Sequence, residues 1–462
     1  MTIFSNVPFD RLEIGMQAEL RRTCEADDFY VFAHSSGNMN PLHLPKEDGD
    51  QDGTPEAIAP SAWIASLVSA ALGNELPGPG TLYKSHDMTF HARAMVGDAL
   101  VARIKLIAKH PPNIATFDTR VEKEDGTLVM QGTADVIAPM EPHSFDIRDV
   151  PGLLVENHKH FERLLERAEP LDPIPTAVIA PEDPSALAGA LLAADHTIIT
   201  PILIGDPDRI RATARDIGRD ISAFTLLEAA SHRDAAAMGV ALVRAGQARA
   251  IMKGHLHTDD LLRPILSSDT GLKTGRRLSH IFVMDVPGLD HLLMVTDAAI
   301  NIAPDLRTKV DIVQNAIELA ISLGIDVPKV GILSAVETVN PSIPSTLDAA
   351  ALSKMADRGQ ITGGHVDGPL AMDNAVSIAA ARTKGIKGMV AGMAEILVAP
   401  NLEAGNMLAK ELTFLAHAEA AGVVIGAACP IILNSRSDSD KSRLASCAVA
   451  ALHAHRIKGA SA

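Results

Sequence analysis

The sequence predicts two unlike domains in one chain: an α+β domain, then a larger α/β domain built on a mostly parallel sheet. Three observations carry that expectation. Residues 1–140 offer one long apolar helix among β-like runs. Residues 153–462 alternate short apolar strands with Ala-rich amphipathic stretches. Between them, VIAPMEPHSFDIRDVPG holds three prolines and no periodic pattern, so 141–152 reads as a linker.

Length and composition agree with that division. At 462 residues the chain is too long for one ordinary core. Apolar residues make up 47% and charged residues 21%, as expected of a globular protein with ample material to bury. Aromatics are only 3%, which argues against base-stacking platforms. A formal charge of −16 argues against nucleic acid or an anionic membrane as partner. Cys24, Cys429 and Cys447 show no metal-ligand or paired spacing and read as free buried thiols in a reducing cytosol. No export signal is visible in MTIFSNVPFDRLEIG, and no run approaches about 18 uninterrupted apolar residues, so a cytoplasmic protein is expected.

In the first domain, SAWIASLVSAALGNELPG predicts one helix from about Ser61 to Asn74, ended by Pro77 and Gly78. DALVARIKLIAKH, NIATFDTRVEKED and TLVMQGTADVIA read as strands, giving a sheet wrapped about the helix. SSGNMNPLH (Ser35 to His43), ELPGPGTLY and MVGDAL resemble motifs of the MaoC-like hot-dog enoyl-CoA hydratases. That family carries an Asp where this chain has Asn38, and a His matching His43. The resemblance implies that the pair would share a water, but an amide does not accept its proton at neutral pH. Pro60 and Ser61 also replace a His-Gly pair whose backbone would meet the thioester oxygen, and proline has no N–H. The loop reads as a degenerate hydratase site.

In the second domain, HKHFERLLERAE is helical, with Phe161, Leu164 and Leu165 on one face. Strands follow at TAVIAP, TPILIGD, RAIMKG, HIFVMDV, HLLMVTDAAIN, KVGILSAVE, GMVAGMAEILVAP and VVIGAACPIILNS, with helices such as DIVQNAIELAISLG between them. Continuous apolar strands with helical crossovers mean a sheet covered on both faces, with ligands beyond the strands' carboxyl ends. No Gly-x-Gly-x-x-Gly follows a strand, so a dinucleotide role has little support.

Read alone, Ser435-Arg436 follow directly on an apolar run. A guanidinium fork there suits phosphate, and the neighbouring hydroxyl suits an oxyanion. Lys253-Gly254 lets backbone approach a ligand, and Asp297 and Asn301 end a strand. His255 and His257 read as a packed or hydrogen-bonded pair on one strand face. His158, His160, His453 and His455 are expected on exposed helix faces. The cluster Lys273 to Arg277 either attracts anionic groups or is a solvated loop.

MKGHLHTDDLLRPIL, LSHIFVMDVPG, TDAAINIAPDL, GHVDGPLAMDNA, PNLEAGNMLAK and PIILNSRSDSDKS together are similar to the phosphate acetyltransferase and phosphate butyryltransferase family. The resemblance spans about Glu156 to Ile457. It implies a two-lobed fold of isocitrate/isopropylmalate dehydrogenase-like architecture and transfer of an acyl group between CoA and phosphate, acetyl being expected and butyryl the alternative. It gives Arg436 the phosphate clamp and Ser435 the oxyanion donor, with a carboxylate shortly after as base. Asp438 and Asp440 both lie nearby, the position seven after Ser435 is Ser442, and Asp438 is preferred. Arg263 matches an arginine close to the phosphoryl or CoA site, and the basic cluster would meet CoA's phosphates. No metal or cofactor is implied, CoA being a substrate, and a homodimer or higher homo-oligomer is expected. Competing expectations are a bifunctional enzyme that still hydrates enoyl-CoA, and a non-catalytic CoA-binding regulator.

Overall fold

Alternating apolar and polar residues build the sheet of the first unit, Met1–Val155. The computed structural model describes residues 3–45, 57–146, 150, 153–156, 158–434 and 438–460. In the first unit these form β1 (Ile3–Ser5), β2 (Gln17–Thr23), α1 (Ala26–Ser36), α2 (Ser61–Ala70), β3 (Leu82–Phe90), β4 (Ala99–His110), β5 (Ile114–Lys123), β6 (Leu128–Ile137) and β7 (Ser144–Asp146). Five of the strands make an antiparallel sheet in the order β2-β4-β5-β6-β3. Leu100, Ala102, Ile104 and Leu106 point from β4 into one core with Trp63, Ile64, Leu67 and Val68 of α2. A wider helical turn, Ala71–Glu75, extends α2, so the expected helix is present and runs one residue further. One sheet wrapped around one buried helix is the arrangement of a hot-dog fold.

Two expectations change here. Part of the proline-rich stretch is not a linker, because its Ser144–Asp146 pairs antiparallel with β1. Residues 147–149 and 151–152 of the expected linker lie outside the described residues. The edge strands β2 and β3 were not anticipated, since their residues are mostly exposed and show little apolar alternation.

The second unit, Glu156–Ala462, is built from short apolar strands separated by helices. Its strands are β8 (Ile174–Ile179), β9 (Ile199–Gly205), β10 (Thr225–Glu228), β11 (Ala250–Lys253), β12 (Ser279–Asp285), β13 (Leu293–Thr296), β14 (Lys329–Leu333), β15 (His365–Leu370), β16 (Ile396–Val398), β17 (Glu419–Ile425) and β18 (Ile431–Ile432). Its helices are α3 (Lys159–Ala168), α4 (Pro184–Asp195), α5 (Pro207–Asp216), α6 (His232–Arg244), α7 (Thr258–Ile265), α8 (Leu306–Ser322), α9 (Pro344–Asp357), α10 (Met372–Val376), α11 (Ile378–Thr383), α12 (Leu402–Leu415) and α13 (Asp440–Ala460).

All eleven strands join one sheet, ordered β10-β9-β8-β11-β18-β17-β12-β13-β16-β14-β15. The outer strands on each side are parallel, as expected. The centre is not: β17 is antiparallel to both β18 and β12, and β12 to β13. The run VVIGAACPIIL is therefore two strands that turn back on each other at 426–430, where Gly426 has φ 104. Because direction reverses in the middle, the carboxyl ends of β8–β11 and β18 face one rim, and those of β13, β14 and β16 face the other.

The two faces of the sheet differ. On one, α3, α4, α5, α8, α9 and α13 bury a single continuous core that includes Ile281, Val283 and Val423 from the central strands. On the other, α6 and α7 cover one cluster, while α10, α11 and α12 cover another. Two of the four histidines expected on exposed helix faces are buried: His160 and His453 are 7% and 4% exposed. His453 packs between helices, where its Nδ1 bonds the Ser322 hydroxyl at 2.9 Å.

Candidate functional site

Between the two separate clusters, the middle of the sheet carries partly buried residues on this face. Leu433 packs on the α6–α7 cluster, whereas Phe282 and Ala420 pack on the α10–α12 cluster. All three are only half-buried, as are Lys253 and Glu419 beside them. β11 and β18 run side by side with Met252 opposite Ile432, so Lys253 comes alongside Leu433 as the two strands end. Alternation puts Ile251, Lys253, Ile431 and Leu433 on the face covered by α6 and α7.

Backbone packing fixes how β11 ends. The N–H groups of Gly254 and His255 donate to the carbonyls of Ile179 and Ala180, at 2.8 and 2.7 Å. A Cβ at Gly254 would lie 2.4 Å from both of those oxygens, so only glycine permits this approach. It holds the loops after β8 and β11 together at the point where strand order reverses, the usual place for a ligand in such sheets. His255 Nδ1 lies 3.5 Å from Asp183 there, and His232 Nε2 lies 3.2 Å from the buried carboxylate of Glu182. His255 and His257 are thus not a pair on a strand. They follow β11 on a bend, and His257 caps α7. Among the described residues no three His, Cys, Asp or Glu side chains gather as metal ligands would.

Of the residues singled out from sequence, Ser435 and Arg436 lie outside the described residues. Their flanks are described. Asn434, at the end of β18, is buried and donates through Nδ2 to the Ser446 hydroxyl at 3.0 Å. Asp438 is half-buried, 3.5 Å from the same amide nitrogen. Lys253 and Asp438 therefore belong to one rim. Arg263 is exposed on α7, the helix that leaves β11, with Leu261 and Ile265 buried on its other side.

The structure does not bring Asp297 and Asn301 to that rim. Asp297 follows β13, whose last residue pairs with Ile281 near the start of β12, whereas Glu419 and Asp285 pair at the far end. Seven-residue strands separate the two ends by roughly 20 Å. Asp297 is 2% exposed, and the chain's own donors use its carboxylate. Oδ1 accepts from the N–H groups of Ala299, Ile300 and His280, and Oδ2 from the N–H and side-chain amide of Asn301. Asn301 also donates to the Leu278 carbonyl at 2.8 Å. The pair ties a turn in place and leaves the Asp297 carboxylate no capacity for a substrate.

One carboxylate was missed in the sequence. Ser442, seven positions after Ser435, donates its hydroxyl to Glu419 Oε2 at 2.6 Å, and Ser439 donates to the same oxygen at 2.8 Å. An acidic group thus reaches that place from the first residue of β17. The only hint in sequence was a Glu at the mouth of an apolar run.

In the first unit, the loop after α1 is held by its own side chains. Gly37 turns the chain with φ 73, and Asn38 Oδ1 accepts from the Asn40 N–H at 3.3 Å. His43 ends a short 3₁₀ turn and holds the Ile58 carbonyl through Nδ1 at 2.7 Å, which assigns that nitrogen the proton. Nε2 is then a proton acceptor with no carboxylate at position 38 to work beside it. Pro60 caps α2 without a side-chain hydrogen bond.

Buried thiols agree with the sequence. Cys24, Cys429 and Cys447 are all free and buried. Burial pushes each thiol up to about 12, so none is a ready nucleophile.

Comparison with known proteins gives these features a context. Residues 229–451 match the phosphate acetyl/butaryl transferase family. The phosphate acetyltransferase of Rhizobium meliloti is 55% identical over 300 residues, which is 65% of this chain and 95% of that protein. A branched-chain phosphotransacylase from Enterococcus faecalis V583 superposes with a TM-score of 0.55 and 32% identity, over 61% of this chain and 99% of that one. The R-hydratase PhaJ1 from Pseudomonas aeruginosa is 32% identical over 33% of this chain and 99% of that one, with a TM-score of 0.32. Through its second unit, this chain belongs to the phosphate acetyl/butaryl transferase family.

Proposed function

We propose that the protein is a phosphate acetyltransferase, moving an acetyl group reversibly between CoA and inorganic phosphate. The observation that carries this reading is the 55% identity to a phosphate acetyltransferase over nearly all of that protein's length. Substrate CoA and phosphate are placed in a crevice between the α6–α7 and α10–α12 clusters, and neither metal nor cofactor takes part. We read the two sets of parallel strands as the two lobes of an isocitrate/isopropylmalate dehydrogenase-like architecture. The separate clusters on one face of the sheet support that reading.

In the direction that consumes acetyl phosphate, the CoA thiol gives its proton to Asp438 and its sulfur adds to the carbonyl carbon. The oxyanion so formed accepts a hydrogen bond from Ser435. The bond from carbon to the phosphate oxygen then breaks, and phosphate leaves on Arg436. No protein nucleophile is needed, because the crevice holds both reactants at once. Lys253, alongside Leu433, and Arg263 on α7 supply positive charge for the anionic substrates. Asp297 and Asn301 position a turn and bind nothing. Glu419 is the second carboxylate within reach, so Asp438→Asn and Glu419→Gln are compared directly.

Arsenate tests the assignment, since acetyl arsenate hydrolyses and drains acetyl-CoA. Arsenate-dependent loss of acetyl-CoA supports a transferase, and its absence leaves only a CoA-binding regulator. Arg436→Ala should raise KM for phosphate by about tenfold to a hundredfold, the loss of a charge-assisted fork. Unchanged kinetics would remove Arg436 from the site. Rates with propionyl and butyryl phosphate decide between acetyl and butyryl preference. For the first unit we infer no hydration of crotonyl-CoA, because Asn38 cannot accept a proton. Turnover that vanishes in His43→Ala would reverse that conclusion.

A further inference from the structure

A cavity of about 440 Å³ opens at the rim of the second unit opposite Lys253, between the 272–278 segment and the start of α8. Four cations, Lys273, Arg276, Arg277 and Arg307, line it in a chain whose formal charge is −16. Two carboxylates also face it, and both are engaged by backbone. Asp305 caps α8 through the Thr308 N–H at 2.8 Å, and Asp311 accepts the Arg277 N–H at 3.0 Å. The hydrogen bonds from Thr308 hold the Asp305 carboxyl below its ordinary value, and the charges of Arg277 and Arg307 add to this. Arg276 is matched by Glu318 at 2.5 Å. Lys273, Arg277 and Arg307 have no ion-pair partner among the described residues. Ile265, Leu266, Leu272 and Leu278 also line the cavity, so its lining is both cationic and aliphatic.

A run of surface cations is ordinarily a solvated loop. Here the segment carrying them is pinned along its length. The Thr274 hydroxyl donates to the Gly426 carbonyl at 2.7 Å, and Lys273 bridges to Ala427. Asn315 holds the Arg277 carbonyl at 2.9 Å, and Asn301 holds that of Leu278. The cations are thus presented on a fixed backbone around a concavity, which lowers the ordering cost of binding. The volume suits a small organic ligand.

We propose that this cavity binds an organic diphosphate, its phosphates on Lys273, Arg277 and Arg307 and its uncharged body against the leucine side chains of the lining. The site is separate from the transfer crevice, since the length of β12 and β17 lies between the two rims. This differs from the expectation that the Lys273 to Arg277 cluster meets the CoA phosphates of the transfer reaction.

Titration calorimetry on the full chain with inorganic pyrophosphate and with ADP tests it, at low and at high salt. Both should bind, ADP more tightly because it also contacts the leucine side chains, and both more weakly as salt rises. The double variant R277A/R307A should weaken both by about tenfold or more while keeping its fold by circular dichroism and its KM for CoA. Absence of binding to either probe, or binding unchanged in the double variant, overturns the site. A KM for CoA that rises together with the loss of ADP binding overturns its separateness, because the cavity would then belong to the transfer reaction.

Discussion

At the scale of single residues, the chemistry separates groups that act on the chain from groups free to act on a ligand. Asp297 belongs to the first kind. Removing it would strand five donors around a buried position, so Asp297→Ala should destabilise the second unit by about 3–5 kcal/mol, read from urea unfolding. His453 gives a pH dependence with a definite sign. Burial lowers its pKa from 6.5 to about 4, and burial lowers that of His280 as well. Between those values the unfolded chain binds the proton and the folded chain does not. Stability present above pH 6.5 is therefore lost as pH falls toward 4, by on the order of 3 kcal/mol for His453. In His453→Gln the gap in Tm between about pH 7.5 and about pH 4.5 should shrink. An unchanged gap would show that other groups dominate acid unfolding.

At the scale of elements, the backbone carries constraints that side-chain patterns do not reveal. Gly254→Ala would press a Cβ into the carbonyls of Ile179 and Ala180, costing about 1–3 kcal/mol and parting the loops after β8 and β11. Gly275→Ala meets nothing within 4 Å and should be nearly neutral, which makes it the matching control in thermal melts. Most of the strands of the second unit could be read from the sequence because their apolar runs are continuous. The turn between β17 and β18 could not, since VVIGAACPIIL is apolar through the turn and only Gly426 marks the reversal. For the same reason Asp297 and Lys253 both looked like strand ends near a ligand: sequence gives an end but not the direction of its neighbours. The buried His160 and His453 are expected at the surface because a polar residue in a helix looks solvated until its partner is known.

At the scale of the whole molecule, each unit has its own core, one around α2 and the others on the eleven-stranded sheet. Residues 156–462 expressed alone should therefore fold and carry the whole of the arsenate-dependent loss of acetyl-CoA, while residues 1–155 should carry none. Inactive but folded 156–462 would mean that the first unit completes the site. The reversal of direction in the central strands has one more consequence. A sheet running one way throughout has a single mouth, and every loop that faces a ligand competes for space in it. This one has two, back to back, so mutations that retune one need not disturb the other. The free-energy penalties of Lys253→Ala and Arg307→Ala on overall stability should accordingly sum within about 0.5 kcal/mol, as for residues that share no neighbours.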